Sequence, residues 1–326
     1  MDIFDAIRAN LLSPAVLFFA LGIFAALTKS DLKFPEPLYV GLTIYLLVAI
    51  GFKGGVAIAE AGLATVWLPA LAALALGALI PLWTYPLLRF GGKLPAVDSA
   101  AIAAHYGSVS AVTFIAATNY LTAVNQPYED YATAFLAVME SPAILVGVVL
   151  GKLSTKTAGE GPGVSLKTAM HEAIFGRSIL LLVGALVVGA LSGKPGMEKV
   201  EAFFVTPFQG VLALFLLEMG MVAGRRLEDL KKVGAFLLGF GIIVPLVNGA
   251  IGVYLGKLVG LELGGATLLG VLSASASYIA APVAIRISLP DANPTLYLTS
   301  SLAITFPFNI TLGIPIYLEI ARQLYS

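Results

Sequence analysis

The sequence predicts an all-α polytopic membrane protein: ten transmembrane helices in two inverted five-helix repeats, with broken fourth and ninth helices. Three observations carry this. Hydrophobic residues make up 59% of the 326-residue chain and charged residues 12%, against about 45–50% and about 25% in soluble domains. Apolar stretches long enough to cross a bilayer, about 17–25 residues, recur along the whole chain. Two short polar motifs interrupt apolar stretches at matching places in the two halves.

The first span, near 12–28, follows the acidic residues Asp2 and Asp5 and meets the charged Lys29–Lys33 loop without a small-residue cleavage site, so it reads as a retained span and not a signal peptide. Spans two and three, near 37–58 and 63–88, flank the glycine-punctuated "AIGFKGGVAIAEAGLATV". The fourth, 97–120, carries "HYGSVSAVT", and the fifth, 129–152, carries Glu140. After a Gly/Lys/Thr-rich stretch from Lys152 to Thr168 come spans near 173–192, 203–224 and 233–258, the last two joined by the charged "GRRLEDLKK". The ninth, 264–288, contains "SASASYIAAPVAIR", and the tenth, 293–321, contains Asn309. The domains expected are a repeat at 1–153, a cytoplasmic linker at 154–172 and a repeat at 173–326, since a flexible polar stretch at the midpoint suits a linker.

The halves match in order: Gly51 and Gly220 lie 169 residues apart, and the polar motifs of spans four and nine are similarly spaced. Five spans per copy is odd, so the second copy enters from the opposite side, as in many secondary transporters. Arg8, Lys53, Lys194, Lys199, Lys257 and Arg322 fall on one side and the other thirteen Lys and Arg on the other. The richer side is cytoplasmic by the positive-inside rule. The expected location is the cell's inner (plasma) membrane, multi-pass, with both termini outside.

Hydrocarbon leaves no partner for a free backbone N–H or C=O, so an interrupted helix belongs inside protein or beside an aqueous cavity. Each break exposes a half-helix N-terminus with unpaired N–H groups and partial positive charge. Two breaks crossing near the midplane form an anion site without arginine. Small residues (Gly107, Ala111, Ala280, Ala281) permit close approach, and the hydroxyls of Ser108, Ser110, Ser275 and Ser277 are extra donors or cation-coordinating oxygens. Tight helix packing is the plainer reading of either motif alone.

A carboxylate at membrane depth costs about 2.5–3.5 kcal/mol and marks ion pathways. A hard cation such as sodium needs several oxygens, and Glu140, Asn309, Thr113, Thr305 and the serines can provide them. The other reading of Glu140 is a protonated carboxyl in a helix contact. Glu218 is a second deep carboxylate, and a structural ion pair with Lys53 is expected for it. His105 reads as a packing or orienting residue beside the first break.

Formal net charge is zero with scattered basic residues, which argues against nucleic-acid partners and a polybasic lipid-binding tail. With no cysteine and two histidines, no disulfide or transition-metal site is expected. No nucleophile elbow, HExxH, P-loop or GxGxxG in the right context occurs, so no catalytic residue is assigned and no enzyme is expected.

Together, "GSVSAVT", "MGMVAGRRLEDLKKV", "SASYIAAPVAIR", "LPDANPTLY" and "GIPIYLEIA" resemble the SbtA-type sodium-dependent bicarbonate transporter family, best known from cyanobacteria, over almost the whole chain. The resemblance implies sodium-coupled bicarbonate uptake by a homotrimer with core and gate domains, each drawn from both repeats. It places bicarbonate between the broken helices, held mainly by backbone amides, at Gly107, Ser108, Val109, Ser110 and Ala111 and at Ser277, Tyr278, Ile279, Ala280 and Ala281. The expected sodium ligands come from Ser108, Ser110, Thr113, Glu140, Ser275, Ser277 and Asn309, Glu140 standing where the family has a membrane-embedded aspartate. Sodium is the coupling ion and no other cofactor is expected; membrane lipid surrounds the protein. Two departures stand out: Tyr278 occupies the place of a family aspartate, and Ala280–Ala281 that of Ser-Gly. The linker also lacks the long acidic extension of cyanobacterial members, which bears on regulation by a PII-like protein. The alternatives to sodium/bicarbonate symport are sodium- or proton-coupled transport of another small anion or carboxylate, and a non-transporting receptor with a transporter fold.

Overall fold

The computed structural model describes residues 8, 10–157, 171, 175 and 177–326. Most of the segment expected to be a linker, 154–172, lies outside the described residues. Among the described residues there are helices and turns and no strand.

Helix α1 spans Pro14–Leu27 and opens on Ser13, whose Oγ accepts the Val16 amide at 3.4 Å. Helices α2 (Glu36–Ala61) and α3 (Leu63–Gly91) meet at Gly62, which takes φ 79°, a left-handed conformation open to glycine at little cost. Pro86 ends the α-helical part of α3, which closes in a π turn, Leu87–Gly91. Then come α4 (Ala96–Gly107), α5 (Ala111–Ala123) and α6 (Thr133–Thr157). In the second half, α7 (Arg177–Phe204) bends at Gly193, and α8 (Phe208–Arg226) and α9 (Leu230–Leu258) follow. Two short helices, α10 (Leu263–Ala274) and α11 (Ala280–Ser288), precede α12 (Pro294–Tyr325), which holds two π segments.

Among the described residues, seven helical stretches are long and apolar enough to cross a membrane, and one of them, Phe208–Leu258, covers two of the expected spans in its 51 residues. The expected spans near 12–28 and 264–288 correspond to shorter apolar helices, Pro14–Leu27 and Leu263–Ala274. In the stretch Ala96–Ala123, 94% of the most apolar window is buried, against 22% for Ile179–Phe204. The broken stretch is therefore central and α7 peripheral. Phe24, Leu63, Trp67, Phe90 and Leu191 are exposed. Such an outer surface suits hydrocarbon and would be a liability in water.

Helices sort into packing groups. α1 lies along α8, and α2 along α7; α3, α4 and α6 pack together, as do α9, α10 and α12. The α1–α8 contact is backbone on backbone: a Cβ at Gly220 would fall 2.0 Å from the Phe19 carbonyl oxygen, and one at Gly22 would fall 2.1 Å from that of Leu217. Without a hydrophobic drive between helices in lipid, this small-residue approach is what binds the pair. Gly220→Val is expected to separate α1 from α8 at a cost of about 1–3 kcal/mol, the usual range for overpacking, read as a lower unfolding temperature in detergent; an unchanged value would contradict the packing described.

Candidate functional site

The two interruptions meet. Helix α4 ends at Ser108 (φ −79°, ψ 159°) and α10 ends at Ser275 (φ −81°, ψ 164°), each after twelve residues. The Ser277 amide donates to the His105 carbonyl at 2.8 Å. In the other direction the Ser110 amide donates to Ser275 Oγ at 2.9 Å. The extended segments thus satisfy each other where no water is available to do so.

The serines also cap the outgoing helices. Ser110 Oγ accepts the Thr113 amide at 3.1 Å and Ser277 Oγ accepts the Ala281 amide at 3.2 Å, one at the start of α5 and one at the start of α11. Pro282, in the first turn of α11, brings no N–H of its own. The amides of Ala111, Val112, Ile279 and Ala280 are left without a hydrogen-bond partner among the described residues. Two helix N-termini with free donors and partial positive charge therefore converge.

A cavity of 20 Å³ lies at the crossing, walled by Val109, Ser110, Ala111, Ser277, Ile279 and Glu140, among others. That is room for about one water. Glu140 is 7% exposed and makes no hydrogen bond or ion pair among the described residues. Tyr278 forms another part of the wall, its ring edge-on to Phe306 at 5.1 Å. It also borders a 360 Å³ cavity reaching Glu36, Thr43 and Arg177, so it stands at the junction of the two.

The remaining expected site residues sit around this centre. Gly107 faces away from the crossing: a Cβ there would fall 2.3 Å from Pro81 Cγ of α3. Ser108 is buried, its hydroxyl without a hydrogen-bond partner among the described residues. Ser275 Oγ accepts from Ser110 and donates to the Leu272 carbonyl at 2.8 Å. Ala280 borders the larger cavity, while Ala281 is buried. Thr113 is buried below its capped amide. Asn309 Nδ2 donates to the Ala274 carbonyl at 2.8 Å and its Oδ1 accepts Tyr317 Oη at 2.9 Å, which fixes the C-terminal end of α10. Thr305 Oγ1 donates to the Gly241 carbonyl and bonds Tyr106 Oη, both at 2.7 Å. His105 is held by a bond from Nδ1 to the Ala101 carbonyl, 2.7 Å, and by stacking on Tyr297 at 4.5 Å, the orienting role expected of it.

One expectation is overturned. Lys53 pairs with Asp130 at 3.1 Å and leaves Glu218 without an ion pair among the described residues. Asp130 sits at the entrance to α6, closer to Lys53 in space than its 77-residue sequence separation suggests. Sequence reasoning also passed over two carboxylates that hold the outer ends of the broken helices. Glu129 Oε1 accepts the Glu262 amide at 2.6 Å, where α10 begins, and Asp98, in the first turn of α4, accepts the Asn293 amide at 2.7 Å. Burial raises the Glu129 carboxyl pKa above the usual range, opposed by the backbone donors of Glu262 and Gly265. An acid in a first turn was the available signal for Asp98; Glu129 carried none.

Interrupted helices meeting inside an apolar helical bundle, with free amide donors and a buried carboxylate on one small cavity, define an integral membrane transporter. The model of the Na+-dependent bicarbonate transporter superfamily matches residues 14–322, and the chain belongs to that superfamily. It is a bicarbonate-transporter relative and not an enzyme. A search of curated proteins finds no match.

Ser275→Ala is expected to strip the Ser110 amide of its acceptor and to cost about 1–3 kcal/mol, the penalty for a buried unsatisfied donor. Chemical unfolding in detergent measures it; a loss no larger than at an exposed serine such as Ser326 would contradict the crossing.

Proposed function

We propose that the protein is a sodium-dependent bicarbonate symporter working by alternating access. The observation that carries this reading is the crossing of the two breaks, with the unpartnered amides of Ala111 and Ile279 and the carboxylate of Glu140 on one cavity. Bicarbonate is held by those amides and by Ser110 and Ser277. Glu140, Ser110 and Ser277 face the cavity as sodium ligands, with Ser108 as a further oxygen, while Thr113, Ser275 and Asn309 hold the surrounding backbone.

The same reading makes the fold ten spans in two inverted repeats, 1–153 and 173–326, joined by a cytoplasmic linker at 154–172. Left-handed backbone positions support it. Lys29 and Gly193, Gly62 and Gly234, and Lys93 and Gly260 lie 164, 172 and 167 residues apart, leaving Asn125 unmatched among the described residues. Helix pairing follows the same relation: α1 on α8 and α2 on α7 form the gate, and the remaining helices form the core. The 360 Å³ cavity opens from Tyr278 towards Arg177. At the other end, a 250 Å³ cavity bounded by Lys53, Asp130, Asn119 and Gln209 does not include the break residues. With the Arg177 end cytoplasmic and both termini outside, this is an inward-facing state of a plasma-membrane carrier. A homotrimer is the assembly proposed, and a PII-like regulator a partner to be sought at the linker.

Tyr278 favours a second reading, coupled carriage of another small anion or carboxylate, because its ring occupies the junction through which the anion enters. Radiolabelled bicarbonate uptake into proteoliposomes, with and without an inward sodium gradient, tests the proposal. Accumulation is expected only with the gradient, and Glu140→Ala is expected to lower the initial rate by about tenfold or more. Uptake of a competing anion in place of bicarbonate would establish the second reading, and binding without flux would overturn both.

A further inference from the structure

The gate carries a second buried carboxylate. Glu218 lies in the middle of α8, 9% exposed, and its Oε2 has no hydrogen-bond partner among the described residues. No ion pair reaches it among the described residues: Lys53 is paired with Asp130 at 3.1 Å and Arg226 with Asp229 at 3.5 Å, and Arg225 acts on it only from beyond ion-pair distance. Glu218 lines a 220 Å³ cavity between gate and core whose other walls include Tyr39, Tyr278, Arg226, Leu298 and Leu302. Tyr278, whose buried hydroxyl meets no partner at full hydrogen-bond geometry among the described residues and lies towards Ser110, brings this cavity next to the crossing.

A bare carboxylate beside an anion's path repels the anion, and burial penalises its charge. Both costs vanish when a cation occupies the carboxylate. The charged and titratable groups around it are few: Tyr39 on α2, Arg225 and Arg226 on α8 itself, and Tyr278 before α11, while α1 bears no charge and α12 presents Leu298 and Leu302. No group of three or more Asp, Glu, His or Cys that could hold a metal ion exists among the described residues, so the ligand set is that of a single charge.

We propose that Glu218 is a binding site for a monovalent cation, sodium or a proton, separate from Glu140 and carried on the gate, with the Tyr278 hydroxyl as its second oxygen. Its part in transport rests on the symport reading; the binding does not. Occupation neutralises the gate face that meets the anion, which couples gate movement to cation load.

Thermal unfolding of the full-length protein in detergent tests it, with sodium chloride or choline chloride at equal ionic strength and across neutral pH, for wild type, Glu218→Gln, Glu140→Gln and the double variant. For a sodium site, Glu218→Gln is expected to lose part of the sodium-induced stabilisation, with the rest lost only in the double variant. For a proton site, Glu218→Gln is expected to keep the sodium response and lose the sodium-free pH dependence. A folded Glu218→Gln protein that keeps both wild-type responses overturns the proposal. Should Glu218→Gln not fold, Glu218→Asp decides: the shorter carboxylate is expected to weaken half-saturation by sodium, or shift the pH midpoint, by about tenfold, and unchanged values overturn the proposal. Failure of bicarbonate uptake alone would sink the symport reading and leave these binding results standing.

Discussion

Everything in this protein turns on one constraint: two stretches of extended backbone lie where neither lipid nor bulk water can bond them. The bonds from Ser277 to His105 and from Ser110 to Ser275 are the solution, each segment serving as the other's partner. Because the bonds run both ways, losing either break would leave a buried donor of the other without its acceptor. The surrounding features follow. Asn309 secures the last turn of α10, His105 is clamped between Ala101 and Tyr297, and Pro81 fills the space that a side chain at Gly107 would need. At the far ends of the half-helices, Glu129 and Asp98 hold their first turns to neighbouring loops.

The two halves solve the same problem with different chemistry, and the difference is instructive. Asn309 of α12 carries a permanent donor, and its amide closes the C-terminal carbonyl end of α10 without help. Glu140, 169 residues earlier in α6, is a carboxylate, which has no donor when ionised and one when protonated. An amide can donate there unconditionally, whereas a carboxyl group at the equivalent place could do so only when protonated. On the inverted-repeat reading proposed above, the asymmetry between Glu140 and Asn309 would make one half of the scaffold depend on a ligand.

Much of this was legible in the sequence, for a physical reason. Spans announce themselves because lipid tolerates only apolar surface, and breaks announce themselves because "GSVS" and "SASYIAAP" combine small, polar and helix-ending residues within apolar runs. The crossing followed from their matching positions. What stayed hidden depended on distance in space: the partner of Lys53, the seat of Glu129 at the start of α10, the packing of Gly107 on Pro81. A side chain's identity limits what it can bond to, and several residues compete for the role. From sequence Lys53 had only Glu218 as a candidate, and it is the turn of chain before α6 that brings Asp130 to it instead.

Strength is distributed as a moving carrier requires. The crossing bonds are buried and mutual, which on the alternating-access reading lets the site keep its shape while surrounding helices move. By contrast, the contacts that close the Lys53 end are exposed: the side chains of Lys53 and Asp130 are 52% and 56% accessible, and nearby the amide of Gln209 donates to Asn119 at the surface. An exposed pair contributes about 0–1 kcal/mol, well below what would trap one state. Two conformations exchange only when they lie within a few kcal/mol of each other, and a buried ion pair at this mouth would have unbalanced them. Under the alternating-access reading proposed above, the rigid part of the molecule is the part that binds, and the weak part is the part that opens.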